Sequence, residues 1–396
     1  MPLPLARTIK KSLLFAAKKY LRQTVASTLN NSACVTVGYD KQSDKTGAVM
    51  ASQQRAHGLD LLRAILILIG IPYHTGLLLG DMNWVYNSAH HKSDVIPLLS
   101  AISHLFRMAL FFFISGYFCH LVIEKKGSDF FWHSRLTKIA LPLLTATLLV
   151  ALPQAWLVRR VSPDHHVGSL VSHLWFLYCL LLMSALVLRW HAPLERRLRR
   201  RWPVAAGVAA IVAVLYVCAI MNRLIPDGWP LQLREVLKIP VRTLHYMPFF
   251  LLGFALKAQA PSVQRMMALP WWLSLAALLA LMLVWFNGEA LPGFTFAKPL
   301  LEALIPLLAI PLVFSLFLRD GFSHSPLVEF ITRSALVVYV FHHPFIILYG
   351  YLLDPQPVSA WAYYLSVISL SVGSSVILYW LLRQFPLTRT AFGIKS

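Results

Sequence analysis

Charge is what this 396-residue chain has least of. Charged side chains make up 13% of it against 58% hydrophobic ones, and only 16 residues are acidic. A soluble domain carries about a quarter charged residues. No aqueous core could hide so much apolar surface, so the water-soluble classes are excluded and lipid is the expected solvent. Cysteine is scarce too: Cys34, Cys119, Cys179 and Cys218 lie far apart and fit no CxxC spacing. Three of them fall in or beside apolar runs, where cysteine acts as a small hydrophobe, so neither a disulfide framework nor a metal centre is expected. Phosphate cradles of soluble enzymes are missing, with no GxxxxGK[ST] and no GxGxxG after a strand. There is no GxSxG nucleophile elbow and no HExxH zinc helix.

What the chain does have is apolar runs of spanning length, about 20 residues each. They fall near 59–80, 95–122, 137–158, 170–190, 203–221, 240–257, 269–287, 297–318, 333–353 and 360–382. The expected fold is an all-α, polytopic helical bundle of about ten transmembrane helices, with several bent by proline at Pro142, Pro153, Pro306 and Pro311. Residues 1–57 read as a basic cytoplasmic tail able to touch anionic lipid, 58–385 as the membrane domain and 386–396 as a second tail.

The net charge of +20 does not point to nucleic acid, because the basic residues sit between the apolar runs. With the N-terminus inside, cytoplasmic segments hold 26 Lys and Arg against 8 outside, and Arg63 and Arg107 fall within spans. The positive-inside rule then places both termini in the cytoplasm, with the block Arg196, Arg197, Arg199, Arg200, Arg201 as its strongest anchor.

Ionisable groups inside spans are costly, so each is a functional candidate. On the first span Asp60 can pair with Arg63 three residues on, and His74 shares a face with Arg63 about 16 Å further along. The structural alternative is a snorkelling arginine and a hydrogen-bonded histidine. Arg107 sits mid-span and needs an anionic or dipolar partner, while Ser115 and Gly116 in the string Phe111 to Tyr117 suit close helix packing. His173 and Trp175 open the fourth span, either as substrate contacts or as interfacial residues. His342 and His343 are adjacent on the ninth, so only one of the two is expected to face a shared cavity. Arg135 and Lys138, three apart at the start of the third span, either enforce topology or hold the phosphates of a nucleotide-like donor.

These residues also carry a resemblance. Arg55-Ala-His-Gly-Leu-Asp60-Leu-Leu-Arg63 leading to His74, and Arg107 followed by the FFFISGYF string, resemble the signatures of the membrane acyltransferase 3 family. Gly70 to His74, Phe106 to Phe118, Ser172 to Leu177, Tyr246 to Gly253 and Tyr339 to Pro344 extend the likeness in order from residue 55 to about 385. The branch they most resemble adds succinyl groups to osmoregulated periplasmic glucans. The resemblance implies a multi-pass protein of the bacterial inner membrane. Its implied reaction moves an acyl group from cytoplasmic acyl-CoA (succinyl-CoA for this branch) to a periplasmic glucan, with no permanently bound cofactor. It also implies that Arg63, His74 and Arg107 are the functional positions and that Arg135 with Lys138 faces the donor. The second of that pair is more commonly arginine, and lysine offers no bidentate fork. An O-acetyltransferase of another surface polysaccharide is the nearest alternative. A glycan transporter is the other, but no matching half-length spans of an inverted repeat are evident.

Overall fold

A computed structural model describes residues 58–81, 84–161, 170–290, 292–317 and 325–394. The expected N-terminal tail and Cys34 lie outside the described residues. Within them the chain is all-α and contains no strand.

The long helices are α1 (Gly58–Leu77), α2 (Val95–Lys126), α3 (Ser128–Val161), α4 (Ser172–Leu198), α5 (Val204–Arg223) and α6 (Leu231–Lys257). After them come α7 (Pro261–Met267), α8 (Trp271–Asn287), α9 (Phe294–Phe317), α10 (Pro326–Leu353), α11 (Ala360–Leu382) and the short α12 (Pro386–Ala391). Among the described residues nine helices are long and apolar enough to cross a membrane, and the pair α7 and α8, bent by 80°, makes a tenth if it forms one span. The protein is a multi-pass membrane protein. The apolar runs mark these helices to within a few residues on most sides, but α3, α6 and α10 begin seven to nine residues earlier than the runs. Their opening turns mix charged with apolar residues and so precede the continuous apolar runs.

Proline bends the bundle without breaking it. Leu136–Ala140 and Thr147–Ala151 in α3 are π turns, and Pro142 and Pro153 follow each of them by two residues. A π turn inserts one extra residue, which relieves the clash of a proline ring with the preceding turn. The tightest crossing is α2 on α6. A side chain at Gly116 would strike the Phe250 carbonyl, and one at Gly253 the Phe113 carbonyl, so the two backbones touch reciprocally.

The segment expected as a C-terminal tail folds back. Gly393 takes a left-handed φ of 64°, the Ile394 amide donates to the Arg389 carbonyl at 2.8 Å, and Phe392 and Ile394 are buried. This closing turn sets Gly393 beside Pro142 and Lys138 of α3.

Candidate active site

Three helices meet at a cluster of histidines. His74 stands in the last turn of α1, His173 opens α4, and His342 and His343 lie mid-way along α10. The His74 ring lies 5.5 Å from His342 and 5.1 Å from His343, and His173 lies 5.5 and 4.6 Å from the same two. Both adjacent histidines therefore face the cluster, against the expectation of one. Their side chains leave α10 in different directions, yet His74 of α1 and His173 of α4 each lie beside both rings.

Hydrogen bonds orient three of the rings. His342 Nδ1 donates to the Tyr339 carbonyl, which leaves Nε2 bare, buried and without a partner. His173 Nε2 donates to the Val340 carbonyl at 3.0 Å, and the Tyr339 hydroxyl donates to the His173 carbonyl at 2.8 Å. His343 Nδ1 donates to Gln154 Oε1 at 2.9 Å, and Gln154 Nε2 donates to the Ser172 hydroxyl at 3.0 Å. His74 Nδ1 is buried and unpartnered. Two imidazole nitrogens thus lie bare where the helices converge.

Arg107 reaches the edge of this cluster from α2. It is 4% exposed, and neither its Nε nor its Nη1 has a hydrogen-bond partner. The guanidinium lies 5.2 Å over the Tyr73 ring, which itself stacks on His104 at 4.5 Å. Gly70 of α1 makes the room, since a side chain there would come within 2.7 Å of Nη1. A buried charge without a counter-ion is expensive, and a cation–π contact of about 2 kcal/mol offsets only part of that cost.

At the end of α1 away from His74 the bundle opens into a cavity of about 530 Å³. Arg63, Lys125, Lys126, Arg135, Lys138 and Arg333 line it, and among the described residues Asp60 is its one lining carboxylate. Arg63 is paired with Asp60 at 2.9 Å and lies over Phe118, while Arg135 lies over Phe131 at 4.7 Å. Ile67, Phe111 and Phe176 line both this cavity and a small void of about 10 Å³ that ends on Arg107 and Tyr339. The basic cavity and the void at Arg107 thus share three apolar side chains, and the histidine cluster lies beyond them toward the C-terminal end of α1.

An acyltransferase domain, of the kind designated acyltransferase 3, matches residues 56–380. The chain belongs to the acyltransferase 3 family. Glucans biosynthesis protein C of Escherichia coli K12 and that of E. coli O9:H4 strain HS are each 28% identical to it over 368 residues, covering 86% of this chain and 95% of theirs. No solved structure matches it. As a member of that family it is an O-acyltransferase.

Of the site residues expected for an acyltransferase 3 enzyme, His74, His173, His342 and His343 come together, with Arg107 alongside through Tyr73 and Tyr339. Arg63 stands apart from the histidines and shares the basic cavity with Asp60, Arg135 and Lys138. Trp175 packs on Tyr246 at 5.6 Å and under Arg242 at 5.3 Å, on the α6 side. Tyr73, Trp84, Gln154 and Ser172 complete the surroundings and were not singled out by the sequence. Gln154, an amide inside an apolar run, carried the one signal that could have found it. No group of three or more His, Cys, Asp or Glu among the described residues has the geometry to hold a metal ion.

Proposed function

We propose that the protein is an inner-membrane O-acyltransferase that carries a succinyl group from cytoplasmic succinyl-CoA to a hydroxyl of a periplasmic glucan. The chain runs with both termini in the cytoplasm, as the 26 to 8 bias of its basic residues favours. The basic cavity then opens to the cytoplasm, and Arg135, Lys138 and Arg63 hold the CoA phosphates. The pantetheine arm passes Ile67, Phe111 and Phe176 and brings the thioester to Arg107. His74 takes the proton of the glucan hydroxyl as general base. The alkoxide attacks the thioester carbonyl, and Arg107 stabilises the oxyanion that forms. The C–S bond breaks as the ester C–O bond forms, and the proton held by His74 goes to the departing CoA thiolate. His173, His342 and His343 line the acceptor side.

The observation that carries this reading is the unpaired guanidinium of Arg107 between the basic cavity and the histidines. A buried cation with free donors is suited to an anion that exists only while the reaction runs. The glucan rests on the likeness to Glucans biosynthesis protein C, and the succinyl group on the resemblance of the sequence motifs to a succinylating branch of the family. Purified protein in liposomes, given radiolabelled succinyl-CoA and glucan, should yield labelled glucan. The His74→Ala protein should yield none while keeping its thermal transition. Full labelling by that variant would overturn the role of His74.

A further inference from the structure

Residues 84–93, between α1 and α2, form a hydrogen-bonded strap. Asn87 Nδ2 donates to the Leu77 and Gly80 carbonyls at 2.9 and 3.1 Å, and its Oδ1 accepts from the Trp84 amide at 3.0 Å. The Ser88 and Ser93 amides donate to the Leu78 and Leu79 carbonyls at 2.8 and 3.1 Å. A second anchor is Asp354, the residue after α10. Its carboxylate accepts from the Tyr86 hydroxyl at 2.9 Å, the Ser88 hydroxyl, the Ala89 amide at 3.1 Å and the His90 amide at 3.4 Å. Burial alone would raise the Asp354 carboxyl, but these donors hold it below the usual carboxylate range.

This strap carries Trp84 to the histidines. The indole lies 6.0 Å from the His74 ring at an interplanar angle of 16°, and 5.1 Å from His343 at 71°. His74 ends α1, whereas Asp60 and Arg63 of the basic cavity lie in its first two turns. Trp84 therefore closes the cluster at the end opposite the cavity, and it is only half-buried. An interfacial tryptophan needs no such support. Here one carboxylate and one amide hold the backbone on either side of the indole, and the helix that presents His342 and His343 ends at that carboxylate.

We propose that Trp84 is the acceptor platform: a sugar ring packs its C–H face on the indole and turns a hydroxyl toward His74, while Asp354 and Asn87 are positioning residues that hold the indole in place. The assignment rests on the acyl-transfer reading for the direction of approach. An aromatic plane beside hydrogen-bonding imidazoles matches a pyranose, which is apolar on its face and polar around its rim.

Kinetics with succinyl-CoA and a linear glucose oligosaccharide, together with calorimetric titration of that oligosaccharide alone, test the assignment. Trp84→Ala should raise the acceptor KM and the oligosaccharide Kd by about tenfold or more, the effect of losing one aromatic packing surface. The KM for succinyl-CoA should stay within about twofold, and Trp84→Phe should recover part of the loss. Asp354→Asn should move the acceptor KM in the same direction; if it fails to fold, Tyr86→Phe removes a single strap bond instead. Unchanged acceptor KM and oligosaccharide Kd in Trp84→Ala would overturn the platform, as would a wild-type protein that binds no oligosaccharide. Trp84-dependent oligosaccharide binding without acyl transfer would sink the catalytic reading and leave the platform standing.

Discussion

The proposed mechanism asks most of one side chain, Arg107. Two of its nitrogens are buried without partners, and its only charge-stabilising neighbour among the described ring contacts is Tyr73. A structural arginine in the same place would be paired, because an uncompensated buried charge costs several kcal/mol. Arg107→Gln keeps a hydrogen-bond donor of similar length but removes the charge. On the proposed mechanism kcat should fall by about a hundred- to a thousandfold, the usual effect of losing an oxyanion donor. The thermal transition should hold or rise, since a cost of burial disappears. A kcat near wild type in steady-state assays would assign Arg107 to the fold. At this scale Arg107 and His74 were legible in sequence, because ionisable residues in apolar runs stand out. The joint role of His342 and His343 was not, since one helix considered alone offers its two adjacent residues to different sides.

The α2–α6 crossing decides where Arg107 stands relative to the rest of the bundle. Gly116 and Gly253 each lie against a carbonyl of the opposite helix, so no side chain fits at either. In lipid no hydrophobic force drives helices together, and close packing of small residues must supply the association. Gly253→Ala should push the helices apart and cost about 1–3 kcal/mol of stability, as overpacking a filled core does. The check is a lowered midpoint in a thermal scan in detergent, with activity falling at temperatures where the wild type still works. An unchanged midpoint would mean that the two backbones separate freely. The sequence marked Ser115 and Gly116 for close packing, but not the partner glycine on α6. A small residue announces that something can approach and does not say what. Nor were the π turns of α3 legible, because they answer Pro142 and Pro153 within a particular packing.

Across the whole molecule the basic cavity and the histidine cluster occupy opposite ends of α1, and Ile67, Phe111 and Phe176 line both the cavity and the small void at Arg107. That separation fits an enzyme whose two substrates arrive from different sides of a membrane. On the proposed reaction, Arg135→Ala with Lys138→Ala should raise the KM for succinyl-CoA by about tenfold or more while leaving the acceptor KM within about twofold. Initial-rate kinetics with each substrate varied in turn would separate the two. Equal rises in both would show that the cavity cations support the fold and not the donor. Lipid as solvent, the approximate positions of the spans and the few ionisable residues inside them follow from composition and hydropathy alone, because a bilayer demands long apolar helices and penalises every charge within them. The meeting of α1, α4 and α10 at four imidazoles, the void below Arg107 and the strap from Trp84 to Asp354 belong to the tertiary structure. They join residues far apart in the chain, as Ser88 and Asp354 are, and nothing local in a sequence records which helix face meets which.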